Sequence, residues 1–424
     1  MRVPRASVVV VVHGGAERLD DAAASLAADT DRGVCELVVV DNGSPDRCAE
    51  VARRRFPRAR VLRSEHNLGF AGGVALGAEA ASGEVLVLLN DDAAAEVGLV
   101  EAHLATLERH PEAAATAGRL VSWDGARHDF LRGRVTFDLH AFQVGQGSPV
   151  AELALPSEGE PLPFACGGNL AIRRGDWQRA GGFDPDLFAY FEDVELGWRL
   201  TAMGREVVAA PDAVARHRGS ATSAGLGNFR RGVLFERNAL RVFFATADDH
   251  CRQAFAAAVL MTFLHRLQAF AGIDPELAPW AADPFGPPAG DLSRRERWRR
   301  RLERRGAVGA LRHAVARLLL GPQVGRPSLA DGHLLMQLQA AQGFFAGLPS
   351  AVARRRSLEA ERRRGDREIL AAFPRLIVPT YPGDRQWFAS DGFRSLLPDG
   401  WPLAEAVLDE VLHPSLLEGG EAGR

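Results

Sequence analysis

Lysine is missing from this 424-residue chain: all 51 basic residues are arginine. That is mainly a coding bias, although the planar guanidinium fork suits phosphate better than an ammonium does. Cysteine is scarce. Cys35, Cys48, Cys166 and Cys251 lie apart with no Cys-x-x-Cys spacing, which excludes a disulfide framework and a zinc site and points to reduced thiols in a cytosolic protein. Long apolar runs are absent too. The longest, Ala254 to Leu264, ends at His265-Arg266 and is too short to span a bilayer. No secretory signal is expected, because Met1 to Ser7 leads directly into a strand-like run. A net charge of −3 excludes general affinity for nucleic acid. What remains, 46% hydrophobic and 25% charged residues, is an ordinary globular composition, long enough for two or three domains.

The first third alternates strand-like and helical patterns. Ser7–Val12, Glu36–Val40, Arg60–Arg63 and Glu84–Leu89 read as strands, with helices over Leu19–Ala28, Ala49–Phe56 and Phe70–Ala81. Near-continuous valine and leucine predicts strands buried on both faces, hence a mostly parallel α/β sheet flanked by helices. Ligands bind such sheets at the carboxyl ends of the strands. Those ends carry His13-Gly14-Gly15, Asp41-Asn42-Gly43-Ser44 and Asn90-Asp91-Asp92. Residues 122–162 read as loop-rich, Phe164–Arg174 as strand, Asp193–Met203 as helix and Glu206–Ala209 as strand. Beyond about 228 the pattern turns helical, with a Pro-rich linker over 275–288 and Arg-dense stretches over 294–305 and 354–367.

Five segments carry the chemistry. Asp41 ends a strand, where it can accept from an imide or a ribose hydroxyl, or simply close an Asx turn. Asn67-Leu68-Gly69-Phe70-Ala71-Gly72-Gly73 opens a helix, which suits either a diphosphate at the helix N-terminus or close helix–sheet contact. The adjacent carboxylates Asp91 and Asp92 repel one another, and a divalent cation such as Mg²⁺ or Mn²⁺ relieves that repulsion. Between Gly182 and Leu200 the acids Asp184, Asp186, Glu192 and Asp193 lie among aromatics. That setting can tune a general base or mark an acidic helix start. His217, between two arginines, can complete a metal shell or touch a phosphate.

In this order the segments resemble the family 2 nucleotide-sugar glycosyltransferases of GT-A fold, especially the rhamnosyltransferase-like branch. The resemblance rests on Val8–Val12, Val38 to Ser44, Asn67 to Gly73, Leu88 to Asp92, Gly167-Gly168-Asn169 to Arg174, and Gly181 through Arg199. It implies an inverting transfer from a UDP- or dTDP-sugar to a hydroxyl of a glycan or lipid-diphosphate acceptor, assisted by Mn²⁺ or Mg²⁺. It implies Asp193 as catalytic base beside Glu192, and Asp92 with His217 as metal ligands. His13, Asp41, Asn67, Gly69, Gly72, Asn90, Asp91 and Arg199 would contact the nucleotide sugar. The family's usual Thr-Tyr-Asn after the first strand is Val12-His13-Gly14 here, and its usual Asn in the Gly-rich helix is Ala75, which leaves donor base and sugar open.

The resemblance covers about residues 5–245, so the expected organisation is a catalytic domain over 1–245 and a mainly helical domain over 246–424. The Arg-dense helices admit two readings: peripheral attachment to the inner face of the cell membrane, or solvated faces with Glu296, Glu303, Glu359 and Glu361 as ion-pair partners. The alternative function is a non-catalytic sugar-nucleotide-binding scaffold on the same fold.

Overall fold

The computed structural model describes residues 4–219, 227–270, 332–381 and 383–412; the Pro-rich stretch 275–288 and the Arg-dense stretch 294–305 lie outside them. The chain opens with β1 (Ala6–Val12), α1 (Ala16–Ser25), α2 (Ala27–Asp31), β2 (Cys35–Asn42), α3 (Cys48–Arg55), β3 (Arg60–Ser64), α4 (Gly69–Ala80) and β4 (Val85–Asn90). There follow β5 (Ala93–Ala95), α5 (Leu99–Arg109), β6 (Ala113–Ser122), β7 (His128–Phe130), β8 (Arg132–Val135), β9 (Ala141–Val144), β10 (Asn169–Arg173), α6 (Arg174–Ala180), α7 (Glu192–Ala202) and β11 (Glu206–His217).

One sheet runs in the order β3-β2-β1-β4-β10-β6-β11-β5, with β7 beside β6. β3, β2, β1 and β4 are parallel, and β10 is reversed between β4 and β6. Every residue of β1 is buried, as a valine run covered on both faces requires. This is the mostly parallel α/β sheet expected from the sequence. Helix α4 sits tightly on it: a Cβ at Gly73 would stand 2.5 Å from Val11, and one at Gly77 2.4 Å from Val9.

Residues 122–162 are loop-rich as expected, with β7 and the antiparallel β8–β9 hairpin set among the turns. Two expectations are corrected. The strand expected from Phe164 begins only at Asn169, because the chain first passes α7, where a Cβ on Gly197 would meet Phe164 Cα at 2.8 Å. The strand expected to end at Ala209 continues as β11 to His217 through a bulge at 210–213. Pro211 cannot donate to a ladder and is accommodated in that bulge. Gly118 lies opposite, where a Cβ would meet Ala213 O at 2.7 Å. Asn169 Nδ2 ties the bulge by donating to Arg119 O (3.0 Å) and Ala213 O (2.9 Å), and its Oδ1 meets His103 Nε2 at 3.0 Å. Burial pushes His103 down to about 4, so it works here as a neutral ring.

The later part is helical: α8 (Gly227–Thr246), α9 (Asp249–Phe270), then helices over Gly332–Ala346, Leu348–Glu361 and Asp366–Ala372. One buried apolar cluster runs from the sheet through Phe255 and Phe263 to Leu358, Leu370 and Phe393. Buried Arg266 of α9 donates to Asp138 (2.6 Å) and Asp384 (2.9 Å). Removing that arginine alone would strand two buried carboxylates, at a cost of about 3–5 kcal/mol. The stretch 354–367 is not one helix, and much of it turns inward. Arg354 pairs with Glu195 at 2.9 Å, Arg362 with Asp366 at 3.2 Å, and Arg355 with Asp249. Arg362 also pairs with Glu359 at 3.0 Å. Among the described residues no helix is long and apolar enough to cross a membrane.

Candidate active site

At the ends of β1 and β2 the structure joins the first two polar clusters. Gly14 N donates to Ser44 Oγ (2.9 Å), Gly15 N to Asp46 Oδ2 (2.8 Å), and the exposed His13 ring meets Asn42 O at 2.9 Å. Asp41 is fully buried, and its carboxylate accepts from Ser44 N (2.9 Å), Ala49 N (3.2 Å) and Arg63 (2.7 Å). Asn42 Nδ2 reaches Asn67 Oδ1 (3.1 Å), and Asn67 Oδ1 in turn accepts from Gly69 N (2.8 Å) at the start of α4. Gly69 has φ +73°, and a Cβ there would meet Phe188 O at 2.3 Å. A Cβ on Gly72 would stand 2.8 Å from Leu68 Cβ. Both glycines therefore also answer to packing within this turn.

The third cluster is one strand away. β5 runs antiparallel to the end of β11 and sets Ala93 against His217, so Asp92 stands beside the imidazole. His217 Nε2 lies 3.0 Å from Asp92 Oδ1 and 3.3 Å from Asn90 Nδ2, while Nδ1 donates to Asp129 Oδ2. Burial alone would lower the His217 pKa, but Asp129 and Asp92 raise it to about 10. Arg18 connects this cluster to the first, donating to Gly14 O (2.8 Å) and facing Asp91 at 3.5 Å.

Glu192 and Asp193 begin α7. Asp193 Oδ2 accepts from Gly167 N (3.1 Å) and Oδ1 from Val194 N (2.8 Å). Burial raises the Asp193 pKa against those two donors. Glu192 is more deeply buried, and its Oε2 has no hydrogen-bond partner among the described residues. Burial, then the charge of Asp193, pushes Glu192 up to about 8. The pair therefore favours holding one proton between them near neutral pH. The neighbouring Gly168 leads back to the third cluster, since Asn90 N donates to Gly168 O (3.3 Å) and a Cβ on Gly168 would lie 3.0 Å from Asn90 Nδ2.

Arg199 is not brought to this edge. It is buried, pairs with Glu195 at 2.9 Å, and donates to Ala180 O and Gly182 O. Its donors are directed at protein groups, as is that of Trp198, which bonds Asp366 Oδ1 at 3.0 Å. Sequence reasoning missed Asp129. It lies in the segment read as loop, and its partner is 88 residues away; the only local signal was the short His-Asp-Phe alternation of β7.

A divalent cation fits the Asp92–His217 pair. Cis ligands of an octahedral Mg²⁺ site lie about 3 Å apart, and these two atoms are 3.0 Å apart. Among the described residues no group of three or more His, Cys, Asp or Glu forms a metal cluster, so further ligands would come from substrate oxygens or water.

A family model described as Glycosyl transferase family 2 matches residues 7–179. The chain is 31% identical over 231 residues to the N-acetylglucosaminyl-diphospho-decaprenol L-rhamnosyltransferase of Mycobacterium tuberculosis, covering 50% of this chain and 75% of that protein. It is 27% identical over 227 residues to the O-antigen biosynthesis protein RfbC of Myxococcus xanthus, covering 52% of this chain and 18% of that one. Among solved structures, GalNAc-T7 with UDP, GalNAc and Mn²⁺ aligns at 18% identity and a TM-score of 0.47, over 76% of this chain and 58% of its own. The mannosyltransferase PcManGT from Pyrobaculum calidifontis aligns at 20% identity and 0.44, over 81% and 88%. The chain belongs to glycosyl transferase family 2, on its rhamnosyltransferase-like branch, and is a glycosyltransferase.

Proposed function

We propose that this glycosyltransferase inverts the transferred sugar, taking it from a UDP- or dTDP-sugar to a hydroxyl of a glycan or lipid-diphosphate acceptor, with Asp193 as general base. The observation that carries this reading is the uncompensated acidic pair at the start of α7. Asp193 is partly exposed, aligned by two backbone N–H groups, and backed by a buried carboxyl with an orphaned oxygen. A base must present a lone pair to the acceptor while its neighbour stays protonated, and burial of Glu192 supplies that asymmetry.

Asp193 accepts the acceptor proton as the acceptor oxygen bonds the anomeric carbon. The bond from that carbon to the diphosphate breaks on the opposite face, and its electron pair leaves with the nucleoside diphosphate. Asp92 and His217 would hold a divalent cation, which when bound neutralises charge on the departing diphosphate. Asp129 holds the proton on His217 Nδ1, and an ion held at Nε2 would displace the other ring proton, which now faces Asp92. His13, Asn67, Asn90 and Asp91 line the same strand-end cleft and would border the nucleotide. The mycobacterial relative's name, with its diphospho-decaprenol acceptor, supports a lipid-linked acceptor, and such an acceptor would bring this protein to a membrane surface.

Thermal shift against a panel of nucleoside diphosphates and nucleotide sugars, with Mn²⁺ or EDTA, tests the donor site. A hundredfold excess over Kd stabilises by about 2.7 kcal/mol. A Mn²⁺-dependent shift with uridine or thymidine diphosphates is expected. No shift at millimolar ligand would favour a scaffold that has lost donor binding.

A further inference from the structure

Four non-glycine residues among those described have positive φ: Leu139 (65°), Phe188 (65°), Tyr190 (71°) and Phe191 (68°). Three of them lead directly into Glu192 and Asp193. The fourth precedes His140, whose ring meets Phe191 edge-on at 6.2 Å. Such backbone is costly for bulky residues and persists only where the surroundings over-determine it.

Helix α8 provides that constraint. Asn238 has no exposed surface, and its Nδ2 donates to three carbonyls of this turn: Leu187 (3.0 Å), Ala189 (2.9 Å) and Tyr190 (2.8 Å). Arg237 donates to the carbonyls of Asp186 and Leu187, both at 2.8 Å. Arg241 bonds the Asp184 carboxylate at 2.7 Å and the Asp186 carboxylate at 2.9 Å. Glu236 meets His140 at 3.1 Å, so α8 contacts both strained turns. From the other side Ala71 N of α4 donates to Phe188 O (3.1 Å). Among the described residues of the later, helical part, nothing else bonds so many backbone groups next to the acidic pair. An apolar side chain of similar size at 238 would fill the space and take this donor from the Ala189 and Tyr190 carbonyls, while Leu187 O would keep Arg237 and Ala189 N.

We propose that α8 is a clamp that sets the position of the Glu192–Asp193 pair against the strand ends, with Asn238 as its positioning residue. This rests on the reading of Asp193 as base. It adds that the family-like sheet is not sufficient for a competent base, because a helix beginning at 227 fixes where the base stands.

The test uses full-length protein without ligand, following amide hydrogen exchange by mass spectrometry in wild type, Asn238→Ala and Arg237→Ala. Exchange over residues 188–195 is expected to rise about tenfold or more in Asn238→Ala, with β1–β4 unchanged. In parallel, turnover of dTDP-rhamnose or UDP-N-acetylglucosamine, whichever is cleaved, should lose about tenfold or more in kcat with donor KM within about twofold. Asn238→Asp, which keeps the size and loses the donor, should reproduce both effects. If Asn238→Ala does not fold, Arg237→Ala carries the test, with a rise of about threefold expected. Unchanged exchange over 188–195, or a rise spread equally over the sheet, overturns the clamp. Asp193→Asn with intact turnover would instead end the base reading and leave the exchange result to decide the clamp.

Discussion

At one end of the cleft Asp92 and Asp129 face the two ring nitrogens of a single histidine. At the other Glu192 and Asp193 face each other, with no basic partner among the described residues. Both pairs are largely removed from water, yet burial has opposite net results. Asp129 ends below its ordinary range because His217 outweighs the burial that would raise it. Glu192 ends far above its range because burial and its neighbour's charge both raise it and only a backbone N–H opposes them. Burial amplifies whichever partner is present, so in the proposed mechanism the two acidic clusters would take different work: the compensated one would hold charge and the uncompensated one would move a proton.

Substitutions at the two ends should separate in kind and in size. The largest effect is expected from Asp193→Asn, which removes the uncompensated lone pair. Turnover should fall at least about 10²-fold while Mn²⁺-dependent donor binding by calorimetry is nearly unchanged. At the compensated end Asp129→Asn should weaken Mn²⁺ affinity about 10–100-fold, read by electron paramagnetic resonance, with the fold intact. Equal loss of metal affinity in both variants would erase the distinction between the ends.

The smallest effect concerns stability. Folded Glu192 keeps its proton up to about 8, whereas the unfolded chain releases it near the ordinary carboxylate value. The folded state therefore binds more protons across that window, and stability falls as pH rises through it. Glu192→Gln should remove the Glu192 share of that slope and leave the share of His217, with no gain near pH 4 and a Tm gain of roughly 2 °C near pH 9. A wild-type melting profile flat between those limits would mean that Glu192 is ionised in the fold.

Much of this was legible in sequence because it is local. Valine runs fixed β1 and β2, and the polar residues at strand ends fell together because parallel strands present the same end to one edge. The acidic start of α7 was equally readable. What escaped depends on distant partners. Arg199 looked like a ligand arginine, and only the packing of α6 against α7 shows its donors directed at Ala180 and Gly182. Asp129 sits on a three-residue strand whose meaning comes from His217. The Gly-rich helix offered two readings, and Gly73 and Gly77 answer to the valines beneath them.

The bulge in β11 turns part of the metal end into a matter of chain length. Between Ala209 and Val214 the strand steps from facing Ala117 to facing Arg119, and only after that step does His217 arrive opposite Ala93. Side chains alternate along a strand, so gaining or losing one residue there would swing His217 to the opposite face and offer Arg216 or Arg218 to Asp92. Across descendants of this sequence the number of residues at 210–213 is held, and exposed Asp212 can drift where buried Ala210 and Ala213 cannot.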